Sequence, residues 1–229
     1  MGAILSILAT TVGLTPRFSL RSRTFASPLG KTHFVLGRSG NSITLGADRC
    51  TDKEHAKRPI TSINTNGTYI SEVLFSPHDN LQGTLINLIE QEKKQIQVAI
   101  FMLTDDHITN ALIEANRRGV LVEVITDKGT MHDKFSKIPR LKHEKIPVFA
   151  YCPAKESGIL NNIMHNKFVV FHENLLGTGL VWTGSFNFTK SAQERNQENV
   201  VILNYPSVIE RFQKKFEDLK KYISENKKS

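Results

Sequence analysis

The sequence predicts an α/β fold: a mixed, largely parallel β-sheet flanked by helices on both faces. Three observations predict it. Between residues 69 and 126, apolar runs of strand length alternate with amphipathic stretches of helical period, the pattern of strands joined by crossover helices. Residues 97–103, QVAIFML, are almost continuously apolar, as a strand buried on both faces must be. The 229-residue chain is 39% hydrophobic, enough to bury the core of one such domain.

The elements follow in order. YISEVLFS (69–76) is a first strand, ended by Pro77. Residues 79–94 form a helix that Asp79 can cap, with Leu81, Leu85, Leu88 and Ile89 on one face and Lys93 and Lys94 at its end. After the strand at 97–103, a second helix spans about 105–118, with Ile108, Leu112 and Ala115 inward and Gly119 closing it. VLVEVIT (120–126) and IPVFAY (146–151) are strands. MHNKFVVFH (164–172), LVWTG (180–184) and ENVVILN (198–204) add three more. Residues 206–223 make a last amphipathic helix with Ile209, Phe212, Phe216 and Leu219 inward.

What precedes Tyr69 has a different composition. Residues 3–14, AILSILATTVGL, are apolar and uncharged, but shorter than the ~20 residues a membrane-spanning helix needs. Arg17, Arg21, Arg23, Lys31 and Arg38 follow, and the first acidic residue is Asp48. An acid-free leader rich in Ser, Thr and Arg resembles an organelle transit peptide, and the apolar run resembles a secretory signal or weak anchor. The opening Met-Gly-Ala-Ile-Leu-Ser also fits the loose myristoylation pattern. Residues 1–47 are therefore expected to be a flexible targeting or anchoring leader, 48–68 a linker, and 69–225 the folded domain. The location expected is membrane-associated or exported, with organelle targeting as the alternative. Cys50 and Cys152 lack CxxC spacing and can pair or stay free. With 30 Lys and Arg against 22 Asp and Glu, the net charge is +8, which favours anionic partners such as nucleic acid or anionic lipid.

Two segments carry His-x-Lys: MHDKF (131–135) and MHNKF (164–168). On a strand, His165 and Lys167 share a face. An imidazole and an ammonium together on an apolar strand suit an anion bound between them. Downstream, TGSFNFT (183–189) supplies Ser185 and Asn187 after a turn at Gly184, and ERNQEN (194–199) brings Glu198 to the next strand. The set supplies the parts of phosphoryl chemistry. His165 is nucleophile or proton carrier. Lys167, Ser185 and Asn187 bind phosphate oxygens. Glu198 accepts the second ring N–H of His165 and orients it.

These residues resemble the phospholipase D superfamily, whose signature is His-x-Lys, four residues, Asp, then Gly-Ser-x-Asn. The likeness runs through most of 69–223 and is closest to the branch with a single motif, which includes bacterial secreted endonucleases and mitochondrial cardiolipin hydrolase-like proteins. It implies a phospholipase D-type phosphodiesterase that forms a phosphohistidine on His165 without a metal or other cofactor. No His/Asp/Glu cluster has zinc spacing. One motif supplies one histidine, so the second that such a mechanism needs must come from another chain, in a homodimer. His132 and Lys134 have no Gly-Ser-x-Asn after them, and Pro139 interrupts their segment. They are expected to be exposed near the site rim. The sequence departs from the signature at His172, which stands where the family has Asp, followed by Glu173. Seven residues from His165, it lies on the opposite strand face, so a structural role is expected there.

The anionic phosphodiester substrate stays open at this point. Phospholipid suits the apolar, basic N-terminus and membrane association through it. Nucleic acid suits the basic surface, which makes an endonuclease of the same fold the alternative. A non-catalytic phosphate- or nucleic-acid-binding module is the third reading. PAKESGILNN (153–162) precedes the motif and is expected to line the groove. It contains no aromatic residue for stacking.

Overall fold

The computed structural model describes residues 69–153 and 162–226, together with three short strands, β1 (Gly37–Ser39), β2 (Ser42–Thr44) and β3 (Ile63–Asn64). The rest of the expected leader and linker, and most of 153–162, lie outside the described residues.

The domain opens with β4 (Tyr69–Ser76), α1 (Leu81–Gln91), β5 (Gln95–Ile100), α2 (Asp106–Arg117) and β6 (Leu121–Asp127). Two short helices follow, α3 (Lys128–Met131) and α4 (Ile138–His143), then β7 (Val148–Tyr151). The second half is β8 (Lys167–Phe171), β9 (Leu180–Gly184), the one-turn α5 (Lys190–Glu194), β10 (Glu198–Leu203) and α6 (Pro206–Asn226). Local signals set the helix ends. Asn80 caps α1, accepting from Gly83 N–H at 2.8 Å, while the expected cap Asp79 instead accepts from Phe75 N–H. Asp105 caps α2 through Ile108 N–H, and Gly119, at φ +91°, closes it as only glycine does without strain.

One sheet runs in the order β3-β4-β10-β9-β8-β5-β6-β7. The class is the expected one, but the pairing is not largely parallel: only β5–β6 and β6–β7 are parallel. The connections from β8 to β9 and from β9 to β10 carry no helix long enough for a crossover, so those strands fold back antiparallel. β4 adds antiparallel to β10, and β5 to β8. Helices α1 and α2 cover one face over Val98, Val122, Val169, Trp182 and Ile202. Helix α6 covers part of the other, seating Phe216, Leu219 and Ile223 on Ala99, Ile125, Phe168 and Val181. Each fully buried side chain of this kind contributes roughly 1.5–3 kcal/mol.

The strand directions bring Ser76, Phe101, Asp127, Lys167, Gly184 and Glu198 to one end of the sheet. That end holds the candidate site.

Candidate active site

The site starts where β8 starts. The ladder between β5 and β8 ends at Ile100 opposite Lys167, and beyond it only Phe101 N–H donates to Asn166 O. His165 therefore lies in the extended segment before the strand and not on it, as the alternation argument had required. Its side chain is exposed, whereas Lys167 keeps only 8% of its surface. The two are joined by a different contact from a shared face: Lys167 Nζ donates to the His165 carbonyl at 2.9 Å.

Asp127, at the end of β6, holds this segment in place. Its Oδ2 accepts from Met164 N–H at 2.9 Å, and its Oδ1 accepts from Gly129 N–H at 2.8 Å as the cap of α3. One buried carboxylate thus ties the residue before His165 to the sheet. Sequence reasoning missed Asp127, because its partner lies 37 residues away.

Phe101 packs against both motif residues. Its ring lies 4.7 Å from that of His165, tilted by 60°. Lys167 Nζ lies 5.3 Å from its centroid, within cation–π range. Burial pushes the Lys167 ammonium below the usual lysine value, and the Glu198 carboxylate opposes that shift. Glu198 is therefore close enough to act on Lys167 electrostatically. Among the described residues it makes no hydrogen bond to His165. Its Oε1 instead accepts from Asn196 Nδ2 at 2.9 Å. The orienting bond expected from the sequence is thus not formed in this state of the site.

Ser76 positions the Glu198 backbone. Its hydroxyl accepts from Glu198 N–H at 3.2 Å and donates toward the carbonyls of Ala192 and Asn196. Ser185 and Asn199 are doubly bonded: Ser185 N–H to Asn199 O, and Asn199 N–H to Ser185 Oγ, both at 3.0 Å. Gly184 makes that approach possible, because an added Cβ would stand 2.0 Å from Asn199 O. The glycine serves close strand approach and not the turn itself. Asn187 completes the set. Its Oδ1 is buried and has no hydrogen-bond partner, an uncommon state for a buried amide. A rotated Asn187 amide would present N–H donors instead.

His132 and Lys134 are exposed on the turn after α3, apart from any strand. The neighbouring Phe135, by contrast, is a large exposed aromatic that the sequence reading passed over. His172 lies at the other end of β8, away from the site. Its Nε2 faces Gln97 Oε1 at 3.1 Å and its Nδ1 faces Gln213 Nε2 at 3.4 Å. Both contacts suit a neutral ring with the proton on Nε2, and burial lowers its pKa. The structural role expected at this position is bracing α6 against the sheet. Glu173 does not replace the missing carboxylate; its N–H donates to the buried Glu92. Cys152 is a free, exposed thiol, and Cys50 lies outside the described residues. Among the described residues no group of three or more His, Cys, Asp or Glu is placed to hold a metal ion, and no helix is long and apolar enough to cross a membrane.

Comparison with known proteins bears on the family and the fold. A phospholipase D of Rickettsia conorii is 33% identical over 138 residues, covering 60% of this chain and 63% of that protein. A mitochondrial cardiolipin hydrolase of Chlamydomonas reinhardtii is 31% identical over 126 residues, covering 55% of this chain and 51% of that protein. The chain thus spans less than two thirds of the length of either relative. The solved structure of Nuc, a phospholipase D family member from Salmonella typhimurium, superposes with a TM-score of 0.57 at 26% identity, covering 66% of this chain and 94% of that one. Residues 85–220 match the family described as cardiolipin synthase, PLD-like domain, and the chain belongs to that phospholipase D-like family.

Proposed function

We propose that this chain is a phosphodiesterase of the phospholipase D type that works as a homodimer. One observation carries the reading. An exposed His165 ring, free of hydrogen bonds among the described residues, stands beside the buried Lys167, and at the same end of the sheet the half-buried Asn187 has a buried Oδ1 with no hydrogen-bond partner. A buried cation and an unsatisfied amide at a sheet end are costly without a ligand. A phosphodiester anion offsets the lysine charge, and an Asn187 amide turned over donates its N–H groups to that anion.

In this reading the His165 ring attacks phosphorus, and the P–O bond to the leaving group breaks as the P–N bond forms. Lys167 and Asn187 hold the non-bridging oxygens, which carry the developing charge. The leaving oxygen takes a proton from a second imidazole. That imidazole then draws a proton from water, whose oxygen attacks phosphorus and releases His165. Each chain offers one His165 at the site, so the second imidazole is the same residue of a two-fold partner. Glu198, near Lys167, holds the ammonium charge in place. Residues 1–47 supply location, through an apolar stretch and five basic residues that suit an anionic membrane surface.

The test uses bis-p-nitrophenyl phosphate, in EDTA, with purified full chain. His165→Ala abolishes turnover, and His132→Ala retains most of it. Mixing His165→Ala with wild type lowers activity beyond dilution, because mixed dimers lack one imidazole. Equal loss in both single variants removes the assignment of His165. A fully active monomer by light scattering removes the dimer.

A further inference from the structure

An exposed imidazole that must attack phosphorus needs something to aim it. A ring nitrogen attacks through a lone pair in the ring plane, and an exposed side chain left to itself samples three staggered χ1 wells. Glu198 does not supply the restraint, since its Oε1 accepts from Asn196 Nδ2. Among the described residues the His165 ring instead meets the Phe101 ring, 4.7 Å away and tilted by 60°, within the range of a favourable tilted aromatic pair.

Phe101 is not spent on the core. It is half-buried and belongs to neither apolar cluster of the domain. Its backbone is held at both ends. The N–H donates to Asn166 O at 3.1 Å, and the carbonyl accepts from Thr130 Oγ1 on α3. The cap of α3, Asp127, also accepts from Met164 N–H, next to His165. Both rings of the pair are therefore referenced to the same short helix. Lys167 differs from His165 in what places it. Its Nζ lies 5.3 Å from the Phe101 centroid, but it is buried and also donates to the His165 carbonyl at 2.9 Å. The ammonium has a second anchor, and the imidazole depends on the ring.

Resting on the phosphodiesterase reading above, we propose that Phe101 is the positioning residue for His165, its ring holding the imidazole in the orientation for attack on phosphorus. Phe101 touches neither the phosphate nor the leaving group in this role and acts through His165. In a two-fold pair the same contact holds the second imidazole, so both the formation and the hydrolysis of the phosphohistidine depend on it.

The test compares full-length wild type with Phe101→Leu, Phe101→Tyr and Thr130→Val, on bis-p-nitrophenyl phosphate under single-turnover conditions. Phe101→Leu keeps the apolar bulk and loses the ring; nitrophenolate release slows about tenfold, the preference a tilted ring pair can supply. Inhibition by inorganic phosphate, which reads Lys167, weakens by less than about fivefold. Phe101→Tyr restores the ring and the rate. Proton NMR reads the contact itself. The His165 ring resonances, identified by their loss in His165→Asn, move toward those of the exposed His132 in Phe101→Leu and stay in place in Phe101→Tyr. Thr130→Val keeps the ring but frees its backbone from α3; it slows release and shifts the same resonances, and it decides the matter if Phe101→Leu does not fold. Unmoved resonances overturn the proposal, as does a wild-type rate in a variant whose resonances have moved. Equal loss in Phe101→Leu and Phe101→Tyr overturns it too. A wild type that turns nothing over removes the phosphodiesterase reading and this role with it, whereas an active wild type matched by Phe101→Leu removes the role alone.

Discussion

Replacing Gly184 with alanine tests how the site is held together without touching a reacting group. The new Cβ would sit 2.0 Å from Asn199 O and 2.9 Å from the Val200 Cα, where real contacts essentially never fall below 3.0 Å. The end of β9 and the start of β10 must then part by about 1 Å. The reciprocal bonds between Ser185 and Asn199 lie at that point, each at 3.0 Å. Losing both costs about 2 kcal/mol, and the residual crowding about 1–3 kcal/mol. The variant is expected to unfold roughly 10 °C below wild type, given the ~2–4 °C per kcal/mol of a domain this size. Catalysis falls further than stability, because Glu198 opens β10 and Asn187 follows the displaced turn. A shift of about 1 Å in positioning residues costs on the order of 100-fold. Thermal denaturation and turnover of bis-p-nitrophenyl phosphate at low temperature, where the variant is folded, separate the two effects. Wild-type melting and wild-type turnover together refute the argument from close approach. A lowered melting temperature with an unchanged rate would instead detach the β10 start from the chemistry.

Other outcomes follow from the same contacts. Glu92 is buried and accepts from the backbone N–H groups of Lys94, Gln95 and Glu173 and from Asn174 Nδ2, at 3.0, 3.1, 2.8 and 3.2 Å. Glu92→Ala strands those donors and is expected to cost on the order of 3 kcal/mol or more, read from urea denaturation; a loss under about 1 kcal/mol contradicts it. His172 has a folded pKa lowered by burial, with Glu92, Glu123 and Glu217 pulling upward and Lys94 downward. Its unfolded form therefore takes up a proton first as pH falls. The stability it contributes is complete above about pH 6.5 and is lost as pH drops through the folded value. His172→Gln should melt with a shallower pH dependence than wild type between about pH 7 and about pH 5; parallel curves would exclude the effect. A chain beginning near residue 60 should hydrolyse a soluble diester but lose binding to anionic vesicles, and undiminished vesicle binding would move the membrane contact into the folded domain.

Local sequence signals determined the list of elements and the identity of the motif. Period-2 and period-3.6 patterns and continuous apolar runs marked β4, α1, β5, α2 and β6 to within about three residues of their ends, because each buries a face, a stripe or both sides of a strand. His165, Lys167, Ser185, Asn187 and Glu198 were proposed as a site from residue type, spacing and the motif they resemble. The structure sets them at or just beyond strand ends at one end of the sheet. Their mutual arrangement was not legible. Whether His165 lies on a strand depends on where the β5–β8 ladder stops, and β5 and β8 are about 70 residues apart. Strand direction in the second half was partly readable from the short connections after β8, which cannot cross over, but alternation in the first half drew the expectation toward parallel pairing. The roles of Asp127 and Ser76 belong to tertiary structure altogether. A capping carboxylate and a serine hydroxyl have no periodicity that marks them, and each acquires its role from backbone supplied by a distant segment. His172 shows the division within one residue. Strand parity placed it opposite Lys167, but only the packing of α6 supplied Gln213, and β5 supplied Gln97, to make a neutral histidine fit where the family pattern has an acid.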